Sequence, residues 1–219
     1  MQLRRFAFVH RPLAVALVAL LPGLASAQIL SLPSNSPEPG NWLGAGVSVF
    51  QGMDLRDDSR SALLGVNGVT GYRVSIEKGS GNGTSLGAAV SFSQPSITVS
   101  NLTASGPCAT ACAATAQFIH YQLVYRSGTP TAGTSGVAEL AIGGLRIGDL
   151  RSSTGTALAP DRTILSLAAG FGFAFAPNPR LQFEIVQEYT QLFAGGGFTG
   201  AATQWRTRVG ARIGVGSRD

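Results

Sequence analysis

A set of ionisable residues recurs at positions that strand alternation would place on common faces: Arg73, Glu77, His120, Arg126, Glu139, Arg146, Glu184, Glu188, Arg206, Arg208 and Arg212. Gathered around one interior, they could do several kinds of chemistry. His120 beside a serine and a carboxylate would activate a nucleophile. Two neighbouring carboxylates would share acid–base work. Arginines facing glutamates would form a buried ion network, and arginines without partners would line a narrow path for small anions. No serine is flagged as a partner for His120. Glu184 and Glu188 stand four residues apart, about 13 Å along a strand, too far to act as one acid–base pair. The spacing favours ion pairs, most readily between Glu184 and Glu188 and the arginines at 206, 208 and 212, with the anion path as the alternative.

Cys108 and Cys112 lie four apart in the loop-like segment Ser105 to Thr115. In an exported chain that spacing predicts one local disulfide stiffening a loop tip. Free thiols and a metal site are the alternatives, but His120 is the one histidine beyond the N-terminal segment. The run Gly195-Gly196-Gly197 lacks the Lys-Ser/Thr that follows a phosphate-cradling loop. The residues point to no cofactor and no metal.

These side chains must be positioned by strands. From Gln204 to Gly216 the chain alternates, with Trp205, Thr207, Val209, Ala211, Ile213 and Val215 on one face and Gln204, Arg206, Arg208, Gly210, Arg212 and Gly214 on the other. A period of two marks a strand whose faces meet different surroundings. In a soluble sandwich the apolar face is the core and the arginines meet water; in a membrane barrel the arginines line the inside. Seven further segments have strand character: Trp42–Gln51, Gly68–Lys78, Thr84–Gln94, Ala116–Ser127, Gly136–Ile147, Arg162–Ala176 and Arg180–Thr190. Most approach the roughly 9 to 11 residues that a tilted strand needs to cross a bilayer.

Their faces agree. Leu165, Leu167, Ala169, Phe171, Phe173 and Phe175 oppose the small residues Ser166, Ala168, Gly170, Gly172 and Ala174. Tyr121, Leu123 and Tyr125 oppose His120, Gln122 and Arg126. In the fifth segment a bulge at Gly143-Gly144 would keep Leu140, Ile142, Leu145 and Ile147 together and turn Arg146 inward with Glu139. In the first segment Leu43, Ala45, Val47 and Val49 look outward, leaving Trp42 and Phe50 on the other parity; an aromatic girdle at the strand ends or a shifted register would account for them.

The N-terminus carries Arg4, Arg5 and Arg11, an apolar run from Leu13 to Leu24 and then Ala25-Ser26-Ala27. That order predicts a secretory signal over 1–27, followed by a Pro- and Ser-rich leader over 28–41 and one domain over 42–219. Of the 16 basic residues three fall in the signal, so 13 face 11 acidic ones in the remainder. No basic tract suits nucleic acid. Beyond the signal, no stretch is apolar for the length of a spanning helix.

Connection lengths alternate. A polar loop with Asp54, Arg56, Asp57, Asp58 and Arg60 precedes a short turn around Asn82-Gly83; the cysteine segment precedes the Gly128–Ser135 turn. Gly148–Asp161 is long, Pro177-Asn178-Pro179 is short, and Gln191–Thr203 is long again. Outer-membrane barrels sort their connections this way, with short periplasmic turns and longer external loops.

An export signal, eight alternating segments and alternating connections together resemble the small outer-membrane β-barrel family, the OmpA/OmpX-like barrels of Gram-negative bacteria. The resemblance spans about Trp42 to Gly216. It implies an all-β, eight-stranded antiparallel transmembrane barrel with both termini in the periplasm, porin-like in architecture. It also implies outer-membrane lipid and the barrel-assembly machinery as partners, and long loops as the place for any further ligand. Arg73, Glu77, Glu139, Arg146, Glu184, Glu188, Arg206, Arg208 and Arg212 would then be lumen ion-pair residues of a protein without catalytic activity. A soluble periplasmic or secreted barrel or sandwich binding an apolar ligand is the alternative, followed by an outer-membrane lipid-modifying enzyme or a narrow anion pore.

Overall fold

The computed structural model describes residues 39–57, 62–100, 111–128, 132–195 and 202–216. Eleven strands follow one another: β1 (Asn41–Phe50), β2 (Met53–Asp57), β3 (Ala62–Val66), β4 (Val69–Gly81), β5 (Thr84–Ser93), β6 (Ser96–Ser100), β7 (Ala111–Ser127), β8 (Gly133–Ser152), β9 (Arg162–Asn178), β10 (Leu181–Leu192) and β11 (Ala202–Val215). They form one antiparallel sheet that the β7–β8 pairing closes into a barrel. Three pairs of strands are single staves broken by a bend, β1–β2 at Gln51-Gly52, β3–β4 at Asn67-Gly68 and β5–β6 at Gln94-Pro95. The ladder persists across those bends, since the Gln51 and Asn67 amides donate to Trp205 O (2.9 Å) and Ser96 O (3.0 Å). The barrel therefore has eight staves. Closure removes the sheet edges, which is what lets strands stand in lipid.

The connections at one end are tight. Asn82 (φ 53°) and Gly83 (φ 70°) both take the left-handed conformation that a two-residue hairpin turn needs between twisted strands. At β9–β10 the Arg180 amide donates to Asn178 Oδ1 at 2.9 Å.

Burial decides between the two readings of the alternating faces. Arg206, Arg208 and Arg212 are 1, 2 and 1 % exposed, whereas Tyr72, Leu123 and Phe173 are 67, 62 and 64 % exposed. The arginines line the inside and the apolar residues form the outer surface. On β9 the outer apolar run from Leu165 to Phe175 would cover about 25 Å of height, from a rise of roughly 3.3 Å per residue and a tilt of about 40°. That matches the hydrocarbon-facing band of a membrane barrel. On this face Thr207 Oγ1 donates to Gln187 Oε1 at 2.7 Å, so two polar side chains there satisfy each other.

Toward the long-connection end the polarity inverts. The interior there is a packed apolar cluster including Met53, Leu55, Leu64, Ile97, Val99, Phe118, Leu145, Ile147 and Ile164. Asp54, Arg56, Thr98 and Arg151 face out. Outside the lipid the wall is solvated, so the ordinary rule of apolar inside and polar outside returns.

This inversion corrects the expectation for Gly143-Gly144. Alternation runs through them without a bulge, placing Leu145 and Ile147 inward and Arg146 outward. The glycines serve another purpose: Tyr121 of β7 lies across Gly144, where an added Cβ would sit 2.6 Å from the Tyr121 hydroxyl oxygen. The irregularity of β8 lies further on, where the β7–β8 register shifts between Thr115 and Gln117 and Asp149 adopts φ 54°. The polar segment after Gln51 is also a hairpin, β2–β3, rather than a loop. Cys112 is a strand residue opposite Val99 on β6, while Cys108 and the 1–27 signal lie outside the described residues.

Candidate functional site

The charged faces of five staves converge in the short-turn half of the lumen. Closest to the turns, Glu77 on β4 accepts from Arg212 Nη2 (2.6 Å), Ser85 Oγ (2.6 Å) and Ser75 Oγ (3.2 Å). Arg212 Nη1 also donates to Gln182 Oε1 at 3.1 Å. In the next layer Arg126 Nη1 donates to Glu184 Oε2 at 2.6 Å, and its Nη2 pairs with Glu139 Oε1. Arg208 reaches the same two carboxylates, Nη2 to Glu139 Oε1 at 2.6 Å and Nε to Glu184 Oε1 at 3.2 Å. In the layer above, Glu188 Oε1 takes Arg206 Nη2 and the Thr190 hydroxyl (3.0 Å). Gln122 Oε1 receives both Arg73 Nη1 (2.8 Å) and Arg206 Nη2 (3.2 Å). Every one of these carboxylates and guanidiniums is at most 8 % exposed.

Strand register explains the pairing. Glu188 stands directly opposite Arg206 across β10–β11, and Arg208 is diagonal to Glu184. Glu139 stands opposite Arg126 across β7–β8. Pairing is required here, because an ionised group without a partner in such surroundings costs several kcal/mol.

Arg146, expected with Glu139 in the lumen, is the exception. It stands on the outer face and donates to Asp161 Oδ2 at 2.5 Å with both side chains about half exposed. Its parity follows from the alternation of β8, which runs unbroken from Glu139 to Ile147, and beyond the apolar band an outward arginine meets water. The Arg146 hydrogen bond, with a second from the Asp149 amide, holds the Asp161 carboxyl below the usual carboxylate range.

Trp42 and Phe50 also differ from expectation. Both point inward, forming neither a girdle nor a shifted register. The Arg212 guanidinium lies 4.8 Å from the Trp42 ring centre, and Arg206 lies 5.3 Å from that of Phe50. Each ring face gives a buried cation a partner that a hydrogen bond does not. Their parity with Ser48 was the available signal, obscured by the habit of reading aromatics at strand ends as interfacial.

His120 is 1 % exposed and its ring centre is 6.0 Å from that of Phe50. Neither ring nitrogen has a hydrogen-bond partner among the described residues. Ser91, opposite it across β5–β7, accepts from Arg206 Nη1 at 3.3 Å instead. No Ser–His pair is assembled at this position.

Among the described residues, a cleft in the apolar half of the lumen lies between Leu64, Val99, Ile147, Leu150, Leu158 and Pro160, beside an Arg162–Asp57 ion pair at 2.9 Å. Its free space is about 20 Å³, room for about one water. That cleft is too small for an organic ligand.

A closed barrel of eight staves, apolar outside and charged within, is the architecture of the small outer-membrane barrels. Among solved structures it is similar to the outer membrane protein OprG of Pseudomonas aeruginosa, with a TM-score of 0.55 at 11% identity over 83% of this chain and 99% of that one. It is also similar to Neisserial surface protein A, NspA, with a TM-score of 0.50 at 11% identity over 82% of this chain and 100% of that one. No family model matches the sequence, and no curated protein does.

Proposed function

We propose that this protein is an integral outer-membrane barrel without catalytic activity, closed along its lumen, whose long-connection end offers the surface for any specific contact. The observation that carries this is the lumen itself. Among the described residues, guanidinium–carboxylate pairs occupy one half and a packed apolar cluster the other, which supports a lumen without a continuous aqueous route for ions or solutes. Export by the 1–27 signal, both termini in the periplasm, Gram-negative outer-membrane lipid as the surroundings and a Cys108–Cys112 bond belong to the same reading. The exposed apolar belt argues against the soluble apolar-ligand binder, because such a protein would bury those side chains.

Outer-membrane fractionation, an unheated-against-boiled gel in detergent and planar-bilayer recording test it together. The expected result is membrane recovery, a band that shifts on boiling, and no steady conductance. Steady anion-selective conductance would replace the closed lumen with a narrow pore, and recovery in the soluble fraction without a shift would reverse the faces.

The His120→Leu variant separates this reading from an enzyme. Because the imidazole nitrogens make no hydrogen bonds among the described residues, a leucine of similar volume should leave the boiling shift intact and the unfolding midpoint equal or higher. Lipid or peptide turnover by the wild type that disappears in this variant would make His120 catalytic.

A further inference from the structure

The chain reaches β1 by way of the short-turn mouth of the barrel. Pro39 is buried, and Gly40 O accepts a hydrogen bond from the Gly79 amide of β4 at 3.0 Å. β1 runs between β4 and β11, and its inward Trp42 stands level with Glu77 on one side and Gly214 on the other. Gly79 lies two positions past Glu77, and Gly214 two past Arg212, so alternation turns both glycines toward the lumen.

Pro39 takes the space that side chains on those glycines would fill. A Cβ on Gly214 would lie 2.2 Å from Pro39 Cγ and 3.4 Å from Arg180 Cα. One on Gly79 would lie 3.1 Å from Pro39 O and 3.8 Å from Trp42 Nε1. The Gly214 amide donates to Arg180 O at 2.7 Å, which draws the β9–β10 turn against the same seat. Proline suits such a place, because it has no N–H to strand on burial and its fixed φ makes the segment a stiff wedge. The ring is held between β4, β11 and that turn.

The layer of the ion network next to this seat is Trp42, Glu77 and Arg212, at 4, 2 and 1 % exposure. Charges one layer from a mouth keep such burial only under a cover. We propose that the leader is a stopper for the lumen: Pro39, anchored through Gly40 and seated between Gly79 and Gly214, closes the short-turn mouth and keeps water from the Trp42–Arg212–Glu77 layer. Withdrawing the ring opens that mouth while the rest of the ion network and the apolar cluster stay in place. The stopper therefore stands or falls separately from the closure of the lumen along its whole length.

Trp42 reports on the seal. Trp205→Phe in the chain from Gln28 to Asp219 leaves Trp42 as its one tryptophan. In zwitterionic detergent its fluorescence should be poorly quenched by iodide, which stays in the aqueous phase. Pro39→Gly removes the ring, and Gly214→Ala puts a Cβ where the ring sits. Each should raise the Stern–Volmer constant severalfold with the boiling shift intact. Combined, the two changes should quench no more than either alone, because both empty one seat. Quenching of Trp42 as strong before these changes as in the boiled sample would overturn the stopper, as would protection that persists in both folded variants. Should neither variant fold, the comparison of unheated with boiled protein decides alone.

Discussion

Replacing Glu139 with alanine is expected to destabilise the folded barrel by about 3–5 kcal/mol, the range for removing one partner of a buried ion pair. One oxygen of this carboxylate receives both Arg126 Nη2 and Arg208 Nη2. Without it, two guanidiniums at 2 % exposure share Glu184 as their remaining hydrogen-bonded carboxylate, with Glu77 and Glu188 3.7 and 3.8 Å away. The cost is the desolvation of charges left unpaired rather than the worth of the bond itself. Urea unfolding from lipid vesicles, followed by tryptophan fluorescence, measures it. Adding Arg208→Met to Glu139→Ala should recover part of the loss, because the second change removes one of the stranded charges. If Glu139→Ala costs less than about 1 kcal/mol, the lumen is hydrated enough to solvate the arginines, and the closed interior is wrong.

Phe171→Arg should cost about 2–4 kcal/mol on the same measurement, and Phe175→Arg no more than about 1 kcal/mol. Both phenylalanines face outward on β9, at 45 and 51 % exposure, so local burial does not distinguish them. Depth does. Phe171 is next to the centre of the Leu165–Phe175 run, while Phe175 is at its short-turn end, where an arginine can reach the interface. Equal penalties at the two positions would mean that the apolar belt does not sit in a bilayer as a 25 Å band.

Most of the barrel was legible because a strand's two faces are written into alternate residues. The eight staves, the outward row of Phe171, Phe173 and Phe175, and the inward placement of the arginines on β11 all follow from a period of two combined with loops sorted by length. Register was not legible. That Glu188 meets Arg206, that Arg126 and Arg208 share Glu139, and that Gln122 bridges Arg73 to Arg206 depend on how far each strand slides past its neighbour. Side-chain periodicity alone leaves that slide open by steps of two residues.

Arg146 and the Gly143-Gly144 step show where alternation misled. Reading every apolar residue of β8 as lipid-facing requires an extra residue in mid-strand, and none is there. The chain by itself determined which residues share a face, since that is a property of extended backbone. Only the tertiary structure decided which face is inside at each height. The same stave passes from a stretch where lipid lies outside and charges pair within to one where water lies outside and apolar side chains pack within, and Leu145 and Arg146 exchange the sides that the lower half of the barrel would have assigned them.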